Sequence, residues 1–167
     1  MRLASADVLP FAFNNLAETA QGYVRELQQL RDRRADDIAD RTRLLEENAY
    51  AIMSDPRTPT LAPQSLARAP RLNFVPLQDA ADSLTRAAQR YEKALTQWGA
   101  SGAPQVGRAR GESVSLKAIN QRLLQAERLL TSQQGLPKRP WFTHLLYAPG
   151  YYTGYGVKTM PGVREAA

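Results

Sequence analysis

Apolar residues recur in steps of three and four from Leu16 through Ala20, Tyr23, Leu27, Leu30, Ile38, Leu45, Ala49 and Ile52. That period lays one apolar stripe along a helix. Arg34 and Arg41 interrupt the stripe, so its middle is expected to be the less buried part. Asn14 or Asn15 can cap the start. No Gly or Pro occurs between Gly22 and Pro56, where Ser54-Asp55-Pro56 forms a stop. The spacing predicts a helix over 14–53, on the order of 55 Å long at about 1.5 Å per residue.

Residues 54–76 hold Pro56, Pro59, Pro63, Pro70 and Pro76 and read as an extended connection. Leu61, Leu66, Leu72 and Phe74 are expected to tack it to the core. Pro76 suits the first turn of a second helix, expected over 77–98 and carrying Leu77, Ala80, Leu84, Ala88, Tyr91, Leu95 and Trp98. The stretch from Gly99 to Gly111 reads as a flexible loop with Arg108 and Arg110 at its tip. A third helix, over 114–132, starts near Ser113 or Ser115 and carries Leu116, Ile119, Leu123, Leu129 and Leu130.

Residues 135–162 pack four prolines, five glycines, four tyrosines and the only histidine into one segment. Pro fixes φ and Gly permits positive φ, so backbone of this kind holds one shape. A long ordered loop more often carries function than a short connector does. Residues 163–167 then start a truncated fourth helix. The first helix is nearly twice the length of the next two, so its excess must kink, project, or pack on something else. There is no internal repeat and no convincing strand pair, although short extended segments near Phe142–Tyr147 are allowed. The fold class expected is all-α: an antiparallel up-down bundle of three helices plus the truncated fourth, with a long ordered loop.

Composition narrows the chemistry. With 167 residues and 43% hydrophobic content the chain is one domain, or one module of a larger protein, with enough apolar residues for a core. The absence of Cys excludes a disulfide, a thiolate zinc site and a Cys nucleophile. No apolar run approaches the ~20 residues of a membrane span, so no membrane insertion is expected. The net charge is +6, but Arg31, Asp32, Arg33, Arg34, Asp36, Asp37, Asp40, Arg41, Arg43, Glu46 and Glu47 interleave. Such alternation marks an ion-paired, solvated helix face and argues against a nucleic-acid partner.

His144 has no second histidine to share a metal with, so it reads as a packed or hydrogen-bonded side chain. Nothing marks a nucleophile elbow beside it. Tyr147 follows Leu145-Leu146 and reads as a packing residue. Tyr151, Tyr152 and Tyr155 stay open between packing and binding. Stacking on nucleic acid is disfavoured, because no basic groove accompanies them.

Four stretches carry a resemblance. They are LASADVLPFAF at 3–13, INQRLLQAERLL at 119–130, GLPKRPWFTHLLYAP at 135–149, and MPGVREA at 160–166. Together they make the chain resemble the transferrin receptor-like dimerisation domain, the C-terminal helical domain of glutamate carboxypeptidase-like zinc peptidases and of transferrin receptors. The resemblance implies a homodimer that also contacts its own peptidase domain. It implies two zinc ions in that absent domain, and no cofactor, metal ligand or catalytic residue in this chain. It implies further that the loop after Tyr147 lines a substrate pocket. There Tyr155 matches the family's tyrosine, Gly154 stands where glutamate-preferring members have lysine, Lys158 lies four residues on, and Tyr151 and Tyr152 would sit at the mouth. The family domain continues into a long final helix where this chain stops at Ala167, so the chain is expected to be a fragment. The rival reading is a self-standing, non-catalytic helical adaptor or transferrin receptor-like binding protein.

Overall fold

The computed structural model describes residues 8–55, 57, 61–67, 71–101, 115–151, 154 and 156–166. Within them the order is α1 (Phe13–Glu46), α2 (Ala49–Ile52), α3 (Val75–Ser101), α4 (Leu116–Gln125), a 3-10 turn (Glu127–Leu130), β1 (Tyr147–Pro149), β2 (Val157–Thr159) and α5 (Pro161–Arg164).

Helices α1 and α3 form the packed, antiparallel pair. Tyr91 donates to Leu9 O (3.1 Å) and meets the Phe13 ring edge-on, centroids 5.0 Å apart. Further along, Gln21 donates to Asp82 (2.7 Å) and accepts from Gln78 (3.0 Å). At the far end Arg31 lies over the ring of Phe74, just before α3. The core between them holds Val24, Leu27, Phe74 and Ala81, with Met160 arriving from the C-terminal segment. Tyr23, Leu72, Leu77 and Leu146 pack around it.

Every buried position of α1 falls in its first half: Ala17, Ala20, Val24 and Leu27. Because Arg31 is level with the start of α3, the part of α1 beyond it overhangs. The excess length projects. Its ion pairs, Arg31–Asp32, Arg43–Asp40 and Arg43–Glu47, are solvent-facing and each contributes little, about 0–1 kcal/mol.

Several expectations are corrected. The helix expected over 14–53 begins one residue earlier and ends at Glu46, because Asn48 adopts a left-handed conformation (φ 54°) before the single turn α2. Asn is among the few side chains that visit this region readily, and a single such residue breaks the helical ladder. Neither Asn14 nor Asn15 caps α1; Ala12 holds that position without a side-chain bond. Helix α3 runs through Gly99 to Ser101. Ser115 does cap α4, accepting from the Ala118 N–H at 3.2 Å. That helix is only 10 residues long, because it tightens into the 3-10 turn after Ala126. Leu72 and Phe74 join the core as expected, whereas Leu61 and Leu66 are exposed. The loop tip with Arg108 and Arg110 lies outside the described residues, as does Ser113.

The chain is largely helical but not all-α. Tyr147, Ala148 and Pro149 pair antiparallel with Thr159, Lys158 and Val157. Three-residue strands are too short to show a period of two, which hides them from a pattern search. The C-terminal helical turn starts at Pro161, two residues before the expected 163. Among the described residues, no helix is long and apolar enough to cross a membrane.

Candidate functional site

The 135–162 segment is held by its own ladder of hydrogen bonds. Leu145 N–H donates to Leu130 O (2.9 Å), Ser132 N–H to Thr143 O (2.8 Å), and Leu136 N–H to Phe142 O (2.9 Å). Gly135 turns the chain with φ 64°, and a Cβ there would sit 2.2 Å from the carbonyl oxygen of Pro140. Only glycine fits that close approach. Three residues later Lys138 also has a positive φ (60°), which strains a residue bearing a Cβ.

Arg139 sits beneath this turn, with 5% of its surface exposed. Its guanidinium donates to Pro149 O at the end of β1 and to Glu165 beyond α5. It also lies 5.6 Å from the ring centroid of Phe142 and 5.5 Å from that of Tyr151. Among the described residues its buried Nε has no hydrogen-bond partner. Glu165 uses its second oxygen to accept the Tyr151 N–H at 2.8 Å. One cation therefore ties the loop, the hairpin and the terminal turn together. Sequence reading missed Arg139 and Glu165, because nothing in a Lys-Arg pair says which cation turns inward.

A second tie runs to α1. Arg164 donates to Thr159 O (3.0 Å) and to Glu26 (3.0 Å), and the Thr159 hydroxyl donates to the same carboxylate at 3.3 Å. The hairpin is thereby fixed to both the terminal turn and the long helix.

A cavity of about 320 Å³ opens where these parts meet, and Lys138, Tyr151, Lys158 and Glu165 line it. Tyr151 and Lys158, two of the four residues expected to line a pocket, are thus brought together. Tyr152 and Tyr155 lie outside the described residues. Gly154 is exposed, with φ 56°. Lys138, whose ammonium stands 5.9 Å from the Tyr151 ring centroid, is an addition that the sequence did not flag.

His144 faces a different part of the surface. Its Nδ1 accepts the Leu146 N–H (3.3 Å), which leaves the proton on Nε2 to donate to Glu127 at 3.1 Å. The Tyr147 ring stacks on the imidazole, centroids 4.0 Å apart, and its hydroxyl donates to the same Glu127 oxygen at 3.1 Å. That carboxylate, aided by partial burial, pushes the Tyr147 phenol above its ordinary pKa. Both imidazole nitrogens are engaged, so His144 does not fit a zinc ligand here. Among the described residues, no three His, Asp or Glu side chains converge on a point where a metal could sit.

A family profile, the Transferrin receptor-like dimerisation domain, matches residues 72–167. The chain belongs to that family. The match takes in α3, α4, the hairpin and the terminal turn. This dimerisation domain also resembles two larger proteins locally. It is 46% identical over 54 residues to the probable glutamate carboxypeptidase LAMP1 of Arabidopsis thaliana, covering 32% of this chain and 8% of that protein. It is 57% identical over 35 residues to a probable glutamate carboxypeptidase of Arthroderma benhamiae, covering 21% of this chain and 5% of that protein. The matched stretches thus span under a tenth of either relative.

Proposed function

We propose that this domain is the homodimerisation module of a glutamate carboxypeptidase-like zinc metallopeptidase, and that its hairpin loop is lent to the substrate pocket of the peptidase domain. The observation that carries the reading is the dimerisation-domain match over residues 72–167. The names of the two relatives support the peptidase parent. The tie of the hairpin to α1 through Arg164 and Glu26 gives the loop a rigid base, which a positioned pocket wall needs.

In this reading the chain's own work is mechanical. Its apolar faces bury themselves against a second copy, and Tyr151, Tyr152, Tyr155 and Lys158 are the residues proposed to line the substrate pocket. Two zinc ions, held by the peptidase domain, would supply the activated water. No step of hydrolysis falls to the residues of this chain.

Coding sequence upstream of Met1 tests the parentage. Codons for a domain with His, Asp and Glu zinc ligands are expected; an isolated start site directly before Met1 would favour the free-standing adaptor. Kinetics of the intact enzyme test the pocket. With Gly154 in place of a cation, weak discrimination between acidic and neutral C-terminal residues is expected, and strong glutamate preference would contradict it.

A further inference from the structure

We propose that the cavity between the Lys138 turn, the hairpin and the terminal helical turn binds a small organic phosphate monoester, its phosphate held by Lys138 and Lys158 and its organic part by Tyr151. The inference goes beyond the peptidase reading and does not rest on it, because every group it uses belongs to this chain. The cavity of about 320 Å³ has the size of a small-molecule pocket. Pro137, Gly162 and Tyr151 contribute apolar wall, and Lys138, Lys158 and Glu165 contribute the charges.

The charges do not cancel. Glu165 is already engaged within the protein: one oxygen accepts from the Arg139 guanidinium and the other from the Tyr151 N–H. Among the described residues, neither Lys138 nor Lys158 takes part in an ion pair. Two positive charges are thus left on the wall of one cavity. A phosphate monoester carries about −1.5 to −2 at pH 7 and balances both, whereas a monocarboxylate balances one. The described wall holds no guanidinium to grip a planar carboxylate in a fork. Ammonium groups act as point charges, a mode that suits phosphate oxygens.

Both lysines stand on fixed backbone. Lys158 pairs with Ala148 in the hairpin, and Arg139 ties the end of β1 to Glu165 in the cavity wall. Lys138 sits in the left-handed region at φ 60°, where Gly or Asn would be at ease and a Lys is strained. Strain of this kind clusters at ligand clamps. Its ammonium stands 5.9 Å from the Tyr151 ring centroid, so charge and aromatic face lie side by side. A ligand meeting a cleft already held in shape loses less affinity to ordering it.

The test is isothermal titration calorimetry of the full chain with phenyl phosphate, whose ring supplies the organic part. Binding of one molecule per chain is expected. Lys138→Asn removes the charge with a residue that accepts the left-handed backbone, and Lys158→Gln removes the other; far-UV circular dichroism checks that each is folded. Each is expected to raise the dissociation constant at least roughly tenfold, the loss of one charge-assisted bond. Lys93→Gln, on the exposed side of α3, is expected to change nothing. Absence of binding by phenyl phosphate would overturn the site. So would equal weakening by Lys93→Gln, the sign of diffuse attraction to a basic chain. Succinate or phenylacetate binding as tightly as phenyl phosphate would overturn the ligand class. None of these results bears on the peptidase parent, which the upstream coding sequence decides.

Discussion

The guanidinium of Arg139 pairs with the carboxylate of Glu165, joining a turn at the start of the loop to the last helical turn 26 residues on. The side chains are 6% and 20% exposed, so neither charge is fully hydrated. Removing one partner of such a pair leaves the other uncompensated, which costs about 3–5 kcal/mol. Arg139→Ala is expected to destabilise the chain by that order in urea denaturation, and to release the hairpin. In a double-mutant cycle, Arg139→Ala and Glu165→Gln should cost clearly less together than the sum of their separate effects. Simple additivity would show that the two do not act as a pair.

Gly135 bears the second structural demand of the loop. Gly135→Ala forces a Cβ into the backbone of Pro140 at a positive φ. Left-handed strain alone is of order 1–3 kcal/mol, and the collision adds to it. A lowered melting temperature is expected, together with loss of amide protection at Leu136, whose N–H bonds Phe142 O across the turn. A variant as stable as the parent would mean that the turn can be rebuilt.

Tyr147 gives the stability profile an alkaline component. Its folded-state pKa is raised above the ordinary 10.0, first by the hydrogen bond to Glu127 and then by partial burial. A phenol with a raised folded pKa contributes stability in full below pH 10, and that contribution is lost as pH rises through the folded value. Tyr147→Phe is expected to flatten the decline in melting temperature above pH 10. Some decline should remain from Tyr91, which burial pushes the same way. Identical alkaline profiles for parent and Tyr147→Phe would contradict the Glu127 bond.

Much of the helical content was legible because a helix of many turns repeats its apolar signal. Val24 and Leu27 sit deepest in the core of a helix the spacing predicts. Helix ends were harder to place. Asn48 breaks α1 through one backbone angle, and one Asn looks the same in sequence whether helical or left-handed. The two strands span three residues each, too few for alternation to register. At the site, the tyrosine-rich stretch announced itself by composition, and Lys158 entered only through the family resemblance. Arg139 did not, since its importance arises from partners at Pro149 and Glu165 that only the folded chain brings close. Leu129 fitted a core stripe as well as an outer face; the early end of α4 at Gln125 accompanies its exposure.

The central claim is that these helices hold two copies of the chain together. Sedimentation equilibrium of the unmodified 18.6 kDa chain measures this most directly. The account predicts a species of twice 18.6 kDa that dissociates on dilution. A mass of 18.6 kDa at every soluble concentration would contradict it.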